Sequence, residues 1–155
     1  MAGMQLVRVE RPGPELEEAR ALLFEYWRSF GFTPCFQGFD QELATLPGAY
    51  GPPRGTLLLA PGEGCVAVRA LDPGTAEMKR LYLRPQARGV GLGRTLAASA
   101  VSHARERGFS RVVLDTLPDK MAEAVALYRS MGFREAAPYL AEPTPGALCL
   151  ELSLR

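Results

Sequence analysis

Three glycines at alternate positions, Gly89, Gly91 and Gly93, lie in the run R-G-V-G-L-G at residues 88–93 and constrain this chain more than any other feature. An extended apolar run, Met78 to Leu83, precedes them, and a helical one, Leu92 to Arg107, follows. Without Cβ atoms the backbone turns sharply there and brings several N–H groups to one anion. The helix that follows adds its free first-turn N–H groups and the positive end of its dipole. An ordinary strand-to-helix turn needs one glycine or two. Three, spread between Arg88 and Arg94, read as a cradle for a pyrophosphate.

A length of 155 residues with 47% hydrophobic content suits a single compact domain spanning residues 1–155. Eighteen basic residues stand against seventeen acidic ones, for a net charge of +1. The arginines are scattered, so there is no electrostatic footprint for nucleic acid, which is not an expected partner. The start M-A-G-M-Q-L-V-R-V-E lacks a basic segment followed by an apolar one, and no uncharged apolar stretch is long enough to cross a bilayer. The chain therefore reads as cytoplasmic, with no membrane partner. Cys35, Cys65 and Cys149 are far apart and odd in number, which indicates neither a disulfide framework nor a metal site. Cys65 and Cys149 sit in apolar runs and read as small core residues.

Strand-like and helix-like segments alternate along the chain. Leu6 to Glu10 reads as a short strand, and Pro14 to Phe30 as a helix with its apolar residues at helical spacing and Gly31 just beyond its end. Phe32 to Arg54 is broken by four prolines and three glycines, with one short helix at Asp40 to Thr45 that Asp40 is placed to cap. Thr56 to Ala60, Cys65 to Leu71 and Ala76 to Leu83 follow as three strands joined by P-G-E-G and D-P-G-T turns, an antiparallel meander. After the glycine junction come a helix to Arg107, a strand at Arg111 to Asp115, a helix at Met121 to Met131, and strands near Arg134 to Ala136 and Ala147 to Ser153. This order predicts an α+β fold with a central mixed, mostly antiparallel sheet flanked by helices. Parallel pairing is confined to the strands on either side of the glycine-junction helix.

The block E-M-K-R-L-Y-L-R-P-Q-A-R-G-V-G-L-G-R-T-L, then V-V-L-D-T, then A-L-Y-R-S-M-G-F-R-E, resembles the GCN5-related N-acetyltransferase (GNAT) superfamily, and in particular its small bacterial members. The superfamily pattern of Arg or Gln, two free positions, Gly, one free position, then Gly or Ala is filled by Arg88, Gly91 and Gly93. L-Y-x-x-x-G-F follows at the expected distance. The resemblance implies a GNAT-like three-layer fold and acetyl-CoA as co-substrate, with no metal. It places the pyrophosphate on the loop Arg88, Gly89, Val90, Gly91, Leu92, Gly93 and Arg94, and the pantetheine arm on main-chain groups of Leu81, Tyr82 and Leu83. Leu81 and Leu83 also read as plain core residues, and a strand residue can be both. Some members have a coenzyme A-contacting asparagine between the last parallel strand and the last helix, where this chain has Leu117, Pro118 and Asp119.

The resemblance also implies catalytic residues. Tyr128 matches the tyrosine that often protonates the departing thiolate; a phenol of pKa about 10 is protonated at neutral pH and suits that task. The same residue shares an apolar helix face with Ala124, Leu127 and Met131, where a tyrosine often only packs. Glu77, at the start of the strand leading to the loop, matches the glutamate base of some members. Lys79 and Arg69 stand where they can instead pair with it. The one histidine, His103, falls on or beside a packed helix face and reads as structural.

For the acceptor, a small-molecule or peptide amine, the irregular Phe32 to Arg54 segment and Pro138 to Gly146 are the expected lining. Phe36, Gln37 and Tyr139 are candidate substrate-binding residues. Phe32, Phe39 and Tyr50 offer apolar surface, and Asp40 and Glu42 polar anchors; each aromatic also reads as a pin holding the loop to the core. The last strands are candidates for a homodimer contact. Two other readings fit the same residues. One is a coenzyme A-binding regulatory protein without efficient catalysis. The other is a dinucleotide-binding domain, against which Arg94 stands where its third glycine belongs.

Overall fold

The computed structural model describes residues 5–31, 38–141 and 145–155. Strand β1 (Val7–Arg8) leads into helix α1 (Pro14–Ser29), then α2 (Phe39–Ala44) and a 3₁₀ turn (Gly48–Tyr50). Strands β2 (Thr56–Ala60), β3 (Gly64–Asp72) and β4 (Thr75–Leu83) form the meander. A 3₁₀ turn (Pro85–Ala87) then precedes helix α3 (Leu92–Glu106), β5 (Arg111–Thr116), α4 (Ala122–Ser130), β6 (Arg134–Glu135) and β7 (Leu148–Ser153).

Helix α1 forms because Leu16, Ala19, Leu22, Leu23 and Trp27 repeat at three- and four-residue spacing, and all are buried. Pro14 opens it, Glu15 and Glu17 sit in its first turn, and Arg28 sits in its last, all favourable to the dipole. The predicted cap of α2 is displaced: Gly38, in the left-handed region at φ 72°, takes the N-cap position. Asp40 is the second residue of the helix, within its first turn, where its Oδ1 accepts from the Gln41 N–H at 2.8 Å. The first strand is shorter than its alternating pattern predicts: only Val7 and Arg8 form ladder pairs, with Leu59 and Leu58, and beyond them the Val9 N–H donates to the Leu57 carbonyl at 2.8 Å.

The seven strands are ordered β1-β2-β3-β4-β5-β7-β6. Every pairing is antiparallel except β4 with β5, the two strands joined through α3, as predicted. Such a sheet is not the doubly wound parallel sheet of a dinucleotide-binding domain, which sets that alternative aside. Helices cover both faces. On one, Leu57, Leu59, Cys65 and Ala67 pack with α1 and α2; on the other, Leu58, Ala60, Val66 and Val68 pack with α3 and α4. Burial on both faces explains why β2 reads as an unbroken apolar run and not as an alternation.

Two irregularities shape the centre. The β4–β5 ladder holds only Thr75↔Arg111, Ala76↔Val112 and Glu77↔Val113, so beyond Glu77 the strands run on without pairing and the sheet splits. In β4 itself the register with β3 shifts between Ala67↔Lys79 and Cys65↔Tyr82. Arg80 forms this bulge, the single non-glycine residue with positive φ (63°) among the described residues. Before it Ala76 and Met78 face α3; after it Leu81 and Leu83 do. The extra residue resets the alternation so that the strand keeps an apolar side towards α3 through the split.

Candidate functional site

The glycine junction sits at the mouth of the split. Gly91 caps α3 with φ 86°, and Gly89 has φ 85°; side chains there would meet no atom within 4 Å, so backbone conformation and not crowding demands glycine at both. At Gly93 a Cβ would touch Leu83 Cδ1 at 3.5 Å and Leu127 Cδ2 at 3.7 Å, ordinary contacts that would fill the space between strand end and last helix. No side chain caps α3, which leaves its first-turn N–H groups to an external acceptor. An anion the size of a diphosphate fits this arrangement: an open, glycine-shaped approach, uncapped donors, and two arginines beside it. Leu92 is buried beneath the loop, and Val90 projects from it with 79% of its surface exposed.

Both loop arginines are tethered. Arg88 Nε donates to the Leu83 carbonyl at 3.0 Å. Arg94 Nη2 donates to Ser130 Oγ at 2.6 Å, which joins the start of α3 to the end of α4. Leu81 and Leu83 are half-buried against the α3 side, so the structure puts them in the core and at the split wall together. Tyr82 is buried on the opposite face, its hydroxyl 3.4 Å from Glu25 Oε1, a carboxylate that Arg84 also grips at 3.0 Å.

On the α1 and α2 face of the split the structure gathers charged groups that are scattered in sequence. Glu77, with 0% exposure, lies at its foot. Arg69 Nε donates to its Oε1 at 2.6 Å, the Tyr139 hydroxyl donates to its Oε2 at 2.6 Å, and Lys79 Nζ is 3.7 Å from Oε2. The predicted catalytic glutamate and the predicted substrate-binding tyrosine are thus brought into direct contact. Burial and the neighbouring Glu77 anion push the Tyr139 phenol far above its ordinary range, so it stays a donor. Burial lowers the Lys79 ammonium. It also raises the carboxyl of Asp115, on the β5 wall of the split, with the Glu77 charge adding to the rise and Lys79 opposing it.

Arg80 is the residue sequence reasoning missed. Its Nε and Nη2 donate to Glu42 Oε2 and Oε1 at 3.0 and 2.9 Å, and its guanidinium lies 5.2 Å from the Trp27 ring and 4.6 Å from Phe39. It fastens α2 to the bulge. Trp27 and Phe39 stack at 3.5 Å between centroids, and Tyr50 is buried, so these two loop aromatics act as pins. Phe32, Phe36, Gln37 and Cys35 lie outside the described residues.

Across the sheet, Tyr128 is 5% exposed and packs at 5.7 Å from the Phe133 ring. Burial holds its phenol well above the usual range, the nearby Tyr26 adds to this, and no hydrogen-bond partner occupies its hydroxyl among the described residues. His103 is structural, as predicted: 1% exposed, with Nε2 donating to the Arg54 carbonyl at 2.8 Å and Nδ1 accepting from Arg8 at 3.1 Å. Cys65 and Cys149 are free and buried. Among the described residues no group of His, Cys, Asp or Glu is placed to hold a metal ion, and no helix is long and apolar enough to cross a membrane.

Known proteins resemble this chain in sequence and in fold. An uncharacterized N-acetyltransferase of Schizosaccharomyces pombe is 41% identical over 146 residues, covering 90% of this chain and 89% of that protein. An acetyltransferase from Streptococcus agalactiae superposes with a TM-score of 0.81 at 22% identity over 99% of this chain and all of that one. A GNAT acetyltransferase from Elizabethkingia anophelis, solved with acetyl-CoA bound, superposes with a TM-score of 0.68 at 19% identity over 97% of both chains. The family model described as Acetyltransferase (GNAT) family matches residues 11–133, and the chain is a member of that family of acetyltransferases.

Proposed function

We propose that this protein transfers an acetyl group from acetyl-CoA to the amine of a small molecule, by direct attack within a ternary complex. The observation that carries the reading is the coincidence of an uncapped, glycine-opened α3 N-terminus with the split that begins after Glu77↔Val113. The Elizabethkingia anophelis structure, with acetyl-CoA bound in the same fold, supports it.

Backbone N–H groups from Arg88 to Arg94 hold the diphosphate, and main-chain groups of Leu81 to Leu83 orient the pantetheine. The thioester supplies an acyl carbon open to attack and a thiol leaving group of pKa near 8.5. Tyr128, protonated and with its hydroxyl free of partners, donates to the sulfur as the C–S bond breaks. Glu77, gripped by Arg69 and by the Tyr139 hydroxyl, braces the foot of the split where β4 and β5 part. Arg80, through Glu42, holds α2 at the edge of that face.

Thiol release from acetyl-CoA in the presence of tyramine, spermidine, L-glutamate and L-lysine, beside melting curves with acetyl-CoA and with NADH, tests the proposal. Acetyl-CoA raises Tm and at least one amine accelerates thiol release; NADH does neither. A rise in Tm with no transfer to any amine assigns the protein to coenzyme A binding without catalysis. No rise with acetyl-CoA defeats both readings.

A further inference from the structure

Resting on the acetyl-transfer reading, we infer that Asp115 is the catalytic base that receives the proton of the acceptor ammonium, and that Glu77 and Tyr139 form a fixed unit behind it. The sequence points to Glu77 for this step, and the geometry separates the two carboxylates.

Glu77 has no surface open to solvent, and both its oxygens are engaged, Oε1 by Arg69 and Oε2 by Tyr139 with Lys79 nearby. A general base that turns over must pass its proton on to water. Glu77, closed from solvent with Tyr139 on its Oε2, has no route for it. Asp115 has one. It is only part-buried, and among the described residues no arginine or lysine forms an ion pair with it. It also stands two residues beyond Val113, the partner of Glu77 in the last rung of the ladder, so it lies on the β5 wall where the split is already open.

The charged and titratable groups around it come from every neighbouring element. Glu77, Lys79 and Arg80 face it from β4, Tyr26 from α1, Tyr139 from the segment before β7, and Cys149 is its partner on β7. Desolvation and the Glu77 charge raise its carboxyl, and Lys79 and Arg80 hold that rise in check. Two carboxylates with different environments divide the work: Glu77 is closed from solvent and held by its donors, and Asp115 exchanges a proton.

The proton count closes. The acceptor arrives as R–NH₃⁺ and passes one proton to the Asp115 carboxylate, which releases it to solvent. The neutral nitrogen attacks the acetyl carbonyl, an N–C bond forms and the C–S bond breaks. The nitrogen's second proton leaves with the formation of the amide, and the departing sulfur gains one from Tyr128, which the nitrogen's proton restores. An amine that arrives charged is therefore the class of acceptor this site takes; a thiol or an alcohol has no cation to present to Asp115.

Two measurements on the full chain decide it. In ¹³C-carboxyl-labelled protein, the aspartate resonance absent from Asp115→Asn titrates above the ordinary aspartate range of about 3.9. In pH–rate profiles of kcat/KM with the best acceptor of the four amines, Asp115→Asn loses the limb that reports base ionisation and falls on the order of a hundredfold, as loss of a general base does. Glu77→Gln keeps that limb, displaced in pH, because it changes only the field at Asp115. If Asp115→Asn keeps the limb and Glu77→Gln abolishes it, Glu77 is the base and the inference is wrong. An aspartate midpoint in the ordinary range also overturns it. Melting curves of both variants separate loss of the fold from loss of the base. Absence of transfer by the wild type to all four amines defeats the acetyl-transfer reading instead, and the carboxyl titration still decides the state of Asp115.

Discussion

At the scale of single residues, Tyr128 combines two properties that pull apart. Its ring is core, packed on Phe133, yet its hydroxyl has no hydrogen-bond partner among the described residues. Removing that hydroxyl therefore takes away no bond from the fold. Tyr128→Phe is expected to melt within a degree or two of the wild type and to lose kcat on the order of a hundredfold, the usual contribution of a positioned general acid. Full turnover in steady-state assays of that variant would remove Tyr128 from the reaction. Arg80 makes a sharper test of reading backbone from structure. At most strand positions alanine is the more stable replacement, but at φ 63° a Cβ is strained and glycine is not. Arg80→Gly should thus be more stable than Arg80→Ala by about 1 kcal/mol, although both lose the Glu42 pair. Chemical denaturation of the two variants checks the order, and the opposite order would mean the bulge relaxes when the side chain is gone. A motif or an irregular loop marks Glu77, Tyr139 and Tyr128 as candidates in the sequence. Arg80 is not marked, since in E-M-K-R-L-Y nothing local distinguishes a bulge residue from its neighbours. The bulge exists only in the register of β4 against β3.

At the scale of elements, ends are legible in the sequence where punctuation is local. Gly31, Gly108 and Gly132 follow α1, α3 and α4 closely, and the D-P-G-T turn separates β3 from β4. Ends shift by a residue or two where they depend on a distant partner, as at β1, or where glycine takes the place of the expected carboxylate cap, as at α2. The start of α3 is where element and function meet. Gly91→Ala forces a left-handed alanine at the cap, costing about 1 kcal/mol, and places a methyl group in the approach to the first-turn N–H groups. The expected result is a lower Tm in the free protein and a higher KM for acetyl-CoA, with the acceptor KM unchanged. A variant that lost stability but kept the acetyl-CoA KM would show that the loop does not seat the donor. Helix α2 offers the complementary case. Glu42→Gln weakens a bidentate pair between groups that are mostly buried, 7% and 20% exposed at the side chain, and should cost about 1–3 kcal/mol. Its kinetic effect belongs to the acceptor side, a raised acceptor KM with the acetyl-CoA KM retained, because α2 is fastened to the α1 face of the split and not to the glycine loop.

At the scale of the whole molecule, the strand order places β7 between β5 and β6, a rearrangement that no local signal in a two-residue β6 or in its connecting loop announces. The same long-range closure brings β1 to one edge, and with it Arg8 to His103. Arginine can only donate, so Arg8 fixes Nδ1 of His103 as an acceptor, and Nε2–H then donates to the Arg54 carbonyl. Protonation would set a second N–H against a guanidinium, and burial, the largest influence, already lowers the imidazole below its ordinary value, while the Arg54 carbonyl opposes the shift. The unfolded chain, with a histidine of pKa about 6.5, therefore binds the proton more readily than the folded one. The contribution of His103 to stability is complete above about pH 6.5 and is lost as the pH falls below it towards the lower folded value. Asp115 acts with the opposite sign, since its raised carboxyl costs stability as the pH climbs through its folded value, and that cost is common to the wild type and a His103 variant. Between about pH 7.5 and pH 5.5 the histidine governs the difference between wild type and variant. Tm should fall over that interval in the wild type and fall less in His103→Gln, whose amide can still donate to Arg54 without gaining a charge. Parallel slopes for the two proteins in calorimetric scans would show that His103 remains neutral, or becomes charged, equally in folded and unfolded chains.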